Sequence, residues 1–544
     1  LEKCQRGTAD NVIGGLKGHC LFNDEEVCAE IYPLILDREQ FVWEGGAVIR
    51  ISTSSRKRLS VKFGNGDTAF MHLSPNPGMA GSNIDCEHGA CEMEEGYVMV
   101  SRKHRVLRTA VKGNLDFKIY DDASGGSYAV GSTDYRSLGL VVGFSTDATR
   151  AKEIASLDPE IEIEKIQSYY AEKMKKWYLE TPVPELNEAF QHALLNIEYA
   201  YVDPLGWVES FHHWPSFWHV EQVVHDISGG NAGRIKRYLE EVERQICPDG
   251  AIPDICWSRD GRRDWGGNNQ FFFRNAFQYI QMTGDIKMAE QLEPLLERAL
   301  QQTFAECDPS GSSVLAWNTQ VGNQEDFEAT PGKGAAPGAI GALMLMIMAA
   351  LKGLLGKTEE AQKYRAASGM ALDSLRKILW KRDIGRFAWY QDNAGQTRYE
   401  TTYHGICYPI LYDQLPILDQ LTSIDHLKHR LSGEEGEVYQ SNHFADHDYW
   451  GCPTWGMQCG SDMQPVAARA FAKLGMNNDA VRPLEFIAKR VCSPYQRGSF
   501  PETANERRFA YFSPSAGAFS DGVISGIFGV DINKLTNCMT ISPC

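Results

Sequence analysis

The chain has 544 residues, of which 43% are hydrophobic and 23% charged, and a formal net charge of −17. That length is too great for one ordinary core, so two large units, or one large barrel with an accessory domain, are expected. The acidic balance and the lack of any long Lys/Arg block argue against a nucleic-acid partner, which needs a concentrated basic footprint.

Up to about residue 150 the sequence runs in short alternating stretches: QFVWEGGAVIRIS, RLSVKFG, TAFMHLS, GYVMVSRKHRVLRTAVKG, LDFKIYDD and LGLVVGFST. Clusters of Gly, Asn, Asp, Ser and Pro separate them, which predicts an antiparallel β-sandwich over 1–150. From 151 to 182 the apolar period changes to three and four, with charges spaced for a solvated face, and a helical linker is expected.

Beyond Pro182 the pattern is helical, with segments near 184–201, 216–228, 231–247, 267–283, 286–304, 335–355, 358–380, 402–413, 415–432, 459–474, 477–492 and 514–527. Alternate segments differ in kind. ALMLMIMAAL and FSDGVISGIFGV are small and apolar, whereas KTEEAQKYRAASGMALDSLRKILW is amphipathic, as two concentric rings of six helices require. No fixed-period motif marks an open repeat array. The stretch AAPGAIGALMLMIMAALKGLLG (335–356) has the length of a membrane span, but Pro337, its glycines and Lys352 fit it better to the inner wall of a helical barrel, and no membrane association is expected.

The 14 cysteines include short spacings at Cys86/Cys91, Cys247/Cys256 and Cys452/Cys459 that suit local disulfide loops. An oxidising, secreted or periplasmic setting with few free thiols is therefore expected. A first residue of Leu1 rather than Met fits removal of a signal segment.

The segment FWHVEQVVHDISGGNAGRIKRYLEEVERQICPDGAIPDICW (217–257) resembles the second-helix region of six-hairpin glycoside hydrolases, the (α/α)6 toroids of the glucoamylase, trehalase and processing α-glucosidase type. Those enzymes often carry F-W-D-T, an Ala/Arg-containing helix and then a "pdG-iP" turn. Here His219 stands where the pattern has an aspartate that commonly grips the terminal sugar. The resemblance implies a mainly α fold over 183–544, an (α/α)6 barrel catalytic domain behind the sandwich, acting on a carbohydrate substrate by inversion and without a cofactor.

Glycoside hydrolysis needs one carboxylic acid to protonate the leaving oxygen and a second carboxylate to activate water. In the toroids that this chain resembles, the acid lies on the loop before the sixth helix and the base on the loop before the twelfth, which here are 305–334 and 493–513. The first, WNTQVGNQEDFEATPGKGA, holds Glu325, Asp326 and Glu328, and close like charges raise one another's pKa, as an acid working near neutral pH requires. By its match to the Asp of the trehalase and processing-glucosidase branch, Asp326 is the first candidate for the acid, followed by Glu328 and Glu325. On the second loop Glu502 is the candidate base, with Glu506 behind it; a helix-start or Arg-paired role for Glu502 is the structural alternative.

WVESFHHWPSFW (207–218), WSRDGRRDWGGNNQFFF (257–273) and HFADHDYWGCPTWGM (443–457) are loops rich in rings that stack on sugars and in side chains that bind hydroxyls. With Trp317 they nominate Trp218, His219, Trp265, His447, Trp450 and Trp455 as substrate-binding residues, joined by Arg508 and Tyr511 from the base loop. His443, His447, Asp446 and Asp448, which His212 and His213 could join, also offer metal ligands, but no closed metal motif is present and no metal is expected. Two other functions compete with hydrolysis: a polysaccharide lyase acting on uronate-containing glycans, and a non-catalytic carbohydrate-binding protein.

Overall fold

The computed structural model describes residues 6–12, 14–22, 25–36, 44–54, 59–63, 90–101, 108–121, 126–208, 221–253, 268–316, 332–441, 461, 463–503 and 511–544. The chain forms two compact units, Leu1–Tyr178 and Leu179–Cys544.

In the first unit the strands are β1 (Arg6–Val12), β2 (Gly15–Phe22), β3 (Glu25–Pro33), β4 (Glu44–Thr53), β5 (Leu59–Phe63), β6 (Ala90–Glu94), β7 (Tyr97–Ser101), β8 (Arg108–Gly113), β9 (Asp116–Asp121), β10 (Ser127–Thr133) and β11 (Ser137–Ser145). They build an antiparallel sheet in the order β1-β2-β3-β4-β11-β8-β7-β6 and a smaller one in the order β5-β10-β9. Alternation within β7 shows why the two faces differ. Val98 and Val100 turn to a core with Cys91, Val111, Ala129 and Phe117, while Tyr97 and Met99 turn to the opposite face with Ala110, Ala151 and Ala155. That opposite face carries helix α1 (Ala148–Ala155), and α2 (Pro159–Lys176) packs on β3, β4 and β11. The helical stretch expected as a linker thus lies largely within the sheet unit. Asp147 and Asp158 cap the two helices through their carboxylates, and both starts follow from Asp standing before a helical run.

The second unit contains, among the described residues, α3 (Pro184–Ala200), α4 (Glu221–Ser228), α5 (Ala232–Gln245), α6 (Asn268–Thr283), α7 (Ile286–Cys307), α8 (Ala335–Leu354), α9 (Thr358–Leu379), α10 (Tyr403–Leu411), α11 (Ile417–Arg430), α12 (Met463–Lys473), α13 (Asn477–Val491) and α14 (Ser513–Asp521), the last running on as a π-helical turn over Gly522–Ile527. The even-numbered helices α4 to α14 each pack on the next, and α14 packs back on α4, so they close an inner ring. The odd-numbered helices flank them outside, α9 against α8 and α13 against α12, with α3 packed on both α13 and α14. This is the (α/α)6 toroid expected. Composition sorts the rings: α8 is buried from Ala335 to Ala342 without interruption, whereas α9 buries one stripe of Ala361, Ser368, Ala371, Leu375 and Leu379. The membrane-length stretch is therefore an inner-wall helix.

The disulfide framework expected from the cysteine spacing is not seen among the described residues. No disulfide joins two of them, and Cys28, Cys407, Cys492, Cys538 and Cys544 are free thiols. Cys407 is enclosed in the inner helix α10, where burial pushes its thiol up. The Cys492 thiol is pushed up to about 12, chiefly by burial, and donates to the Glu185 carbonyl at 3.6 Å. Cys86, Cys256, Cys452 and Cys459 lie outside the described residues.

Near the end of α8, the buried Lys352 ammonium is held by Glu293, by Glu297 at 2.8 Å and by Glu360 at 2.6 Å. These carboxylates are close enough together to hold a cation, and that place is taken by the lysine. Burial alone would raise the Glu293 and Glu297 carboxyls, but hydrogen bonds from Lys352, with Lys357 on Glu293 and Tyr364 on Glu297, outweigh it and hold both below the usual carboxylate range. A lowered folded-state pKa stabilises above the unfolded value, about 4.3 for Glu, and that stabilisation is lost as pH falls through the folded value. Lys352→Met is expected to lower the unfolding free energy by about 3 kcal/mol at neutral pH, because it removes the buried cation shared by three carboxylates and leaves Glu293 with Lys357 alone. The gap to wild type should narrow under acid conditions, and equal denaturation midpoints at pH 7 would contradict the assignment.

Candidate functional site

Connections from inner to outer helices are short, at most the five residues 412–416. Those from outer to inner helices are long: 201–220, 246–267, 308–334, 380–402, 431–462 and 492–512. In an antiparallel double ring, all six of the long connections emerge at the end where the inner helices start. That rim is where the chain has length to spare for chemistry.

Glu502 stands on the last of these connections and is half-buried. The Phe512 N–H donates to the Phe500 carbonyl at 2.7 Å and closes the neck of the loop, so Glu502 lies within a closed turn of chain. It is not a helix-start residue: α14 begins at Ser513, and its cap position is Phe512, which makes no side-chain cap bond. Tyr511, at the neck, has φ +47° and is only 2% exposed, with its ring edge-on to Tyr199 at 6.1 Å.

Two other rim connections are tied to this loop through described residues. The Ser461 N–H donates to the Glu502 carbonyl at 2.8 Å, which places Ser461 beside the candidate base. On the same connection, the Gln440 carbonyl accepts the Tyr403 N–H at 3.0 Å. The Ser513 hydroxyl donates to the Val208 carbonyl at 2.8 Å and accepts from Gln222 Nε2 at 3.3 Å. Val208 and Gln222, which stand before and after Trp218 and His219 in the sequence, are thus joined at one serine hydroxyl. Deeper between α4 and α14, His225 Nδ1 and Ser520 Oγ are hydrogen-bonded at 2.6 Å.

The connection 308–334 is closed at its neck as well: the Gly334 N–H donates to the Leu315 carbonyl and the Ala335 N–H to the Trp389 carbonyl, both at 2.9 Å. Gly332–Gly334 pairs with Tyr390–Asp392 in a small antiparallel sheet. Gly332 has φ +149°, and a Cβ there would collide with the Gln391 carbonyl, so only glycine leaves this sheet undistorted.

Of the named candidates, Glu502 and Tyr511 are described. Glu325, Asp326, Glu328, Trp218, His219, Trp265, Trp317, His447, Trp450, Trp455, Arg508 and the fallback Glu506 lie outside the described residues, as do His212, His213, His443, Asp446 and Asp448. Sequence reading missed the anchors Ser461, Ser513 and Gln222. Nothing local distinguishes these from other polar residues at the ends of helices, since their partners are remote in sequence.

No protein-family model matches the sequence, and no curated protein matches it. Among solved structures the chain is similar to a bacterial glucoamylase crystallised with acarbose, with a TM-score of 0.68 at 10% identity over 96% of this chain and 86% of that one. It is also similar to a putative kojibiose phosphorylase from the human microbiome, with a TM-score of 0.61 at 12% identity over 97% of this chain and 76% of that one. At these identities the likeness is one of fold, and it agrees with the (α/α)6 resemblance read from residues 217–257.

Gly332→Ala is expected to loosen the neck of the 308–334 connection. Hydrogen exchange at the Gly334 and Ala335 amides should then accelerate by about tenfold or more, while amides in α8 beyond its first turn keep their protection. Unchanged exchange at both neck amides would show that the left-handed glycine is not what closes this loop.

Proposed function

We propose that the chain is a glycoside hydrolase that cleaves oligo- or polysaccharides with inversion, with Glu502 as general base and Asp326 as general acid, Glu328 and Glu325 being the next candidates for the acid. The observation that carries this reading is the convergence on Glu502: a carboxylate inside a closed rim loop, bonded through its backbone to the end of one aromatic connection and joined through Ser513 to both ends of another. Rings and hydroxyl-binding groups beside a carboxylate are what a sugar pocket needs. The glucoamylase that shares the fold was crystallised with acarbose, which supports a carbohydrate substrate here. A secreted or periplasmic location rests on the cysteine count and spacing alone.

Phosphorolysis is the second reading, favoured by the fold shared with a putative kojibiose phosphorylase. The two differ in the nucleophile. Water needs a base to take its proton, whereas phosphate is already an anion and is repelled by a carboxylate at the point of attack. A glutamate held at the rim therefore favours water.

The test is a glycan panel assayed with and without inorganic phosphate, with analysis of the products. Free reducing sugar in phosphate-free buffer is expected, together with a loss of about 10²- to 10⁴-fold in rate for Glu502→Gln and for Asp326→Asn at a nearly unchanged thermal midpoint. Sugar 1-phosphate formed only when phosphate is present would replace hydrolysis by phosphorolysis. An unsaturated product absorbing at about 235 nm would mean a lyase, and binding without cleavage would leave a carbohydrate-binding protein.

A further inference from the structure

Among the described residues, two backbone hydrogen bonds and one side chain hold the chain around Glu502. The backbone bonds are the Phe512 N–H on the Phe500 carbonyl and the Ser461 N–H on the Glu502 carbonyl. The third element is a side chain. Asn196, on the outer helix α3 and 1% exposed, accepts the Phe500 N–H on Oδ1 at 3.0 Å and donates from Nδ2 to the Gly498 carbonyl at 2.8 Å. Its other Nδ2 hydrogen goes to the His192 carbonyl, one turn back in its own helix, at 2.7 Å. Both N–H donors of the carboxamide and its oxygen are thereby used, which fixes its rotamer and the direction in which it points.

Between the clamped backbone and Glu502 stands only Pro501, which is buried, has a ring-fixed φ and carries no N–H. The Phe500 amide is thus the last backbone donor before the glutamate. Little torsional freedom separates it from the Glu502 Cα, so the position of Asn196 is passed on to the backbone that carries the carboxylate.

We infer that Asn196 is the positioning residue of the general base, setting the height of Glu502 over the barrel mouth through a two-point grip on residues 498–500. This rests on the reading of Glu502 as base. Asn196 itself does not touch the substrate. A misplacement of about 1 Å in a catalytic group is enough to lose about 10²-fold in rate, so the grip matters to kcat before it matters to binding.

The experiment compares Asn196→Leu, which removes every bond, and Asn196→Asp, which keeps the acceptor for the Phe500 N–H, with Glu502→Gln and wild type on the preferred glycan. The expected result is a fall in kcat of about 10²-fold for Asn196→Leu and about tenfold for Asn196→Asp, with KM within about threefold of wild type. On a glycosyl fluoride of the released sugar, azide should restore part of the rate to Glu502→Gln and to Asn196→Leu. Azide attacks C1 as fluoride leaves and needs no base, so rescue separates a misplaced base from a merely loosened fold. Wild-type kcat in either folded Asn196 variant, beside an inactive Glu502→Gln, would overturn the inference and leave the function standing. A fully active Glu502→Gln would overturn both. If Asn196→Leu does not fold, Asn196→Asp decides alone, through its kcat and its azide response.

Discussion

The toroid closes where α14 packs on α4, and that contact has no room for a side chain at residue 517. A Cβ on Gly517 would lie 2.9 Å from the Gln222 backbone nitrogen and side chain. The small residues of SPSAGAFSD therefore permit an approach that larger ones would hold apart, and the ring of inner helices depends on it. Closure is also what carries the last rim connection round to the first, so that Ser513 meets Val208 and Gln222 across about 300 residues of chain.

The lengths of the connections divide the barrel into an end that holds it together and an end that has chain to spare. At one end short turns join inner to outer helices, and buried groups such as Lys352 with its three glutamates stabilise the packing. At the other end the connections 246–267, 308–334 and 492–512 are closed at their necks by backbone or carboxamide hydrogen bonds. Asn269 illustrates this for 246–267: its oxygen accepts the Ile252 N–H at 2.8 Å, and its Nδ2 reaches Thr303 at 3.1 Å and the Gly250 carbonyl at 3.2 Å. A closed neck lets the loop beyond it vary in sequence without cost to the barrel, which is how one scaffold serves several sugar chemistries.

The sequence made the toroid legible because the signal is coarse and repeated. Alternation of all-round apolar and amphipathic helices survives large changes in residue identity, and the segments read from it match α3 to α14 closely, with the π-helical turn after α14 as a local surprise. The sandwich was only partly legible. Strands β4, β5, β7, β8, β9 and β11 lie in the alternating runs, while TAFMHLS (68–74) lies outside the described residues. Strands β1 to β3 escaped because RGTADNV, GLKGHCLF and EEVCAEIYP mix charge and glycine too freely to show a two-residue period. The last rim loop was visible as a Pro- and Gly-bounded stretch carrying Glu502 before a small-residue helix, but the anchors that hold it were not. Asn196 is 302 residues from Gly498, and a carboxamide on an outer helix carries no local mark of the loop it grips.

The central claim is that a sugar is bound at the rim between Glu502 and the 308–334 connection. A crystal structure of Glu502→Gln with an uncleaved oligosaccharide tests it most directly. The account predicts a sugar ring within hydrogen-bonding distance of residue 502, with an acid carboxyl from residues 325–328 on the other side of the scissile bond, about 6.5–9.5 Å away as inversion requires. An oligosaccharide bound away from residue 502, or a partner carboxyl at about 5 Å, would contradict it.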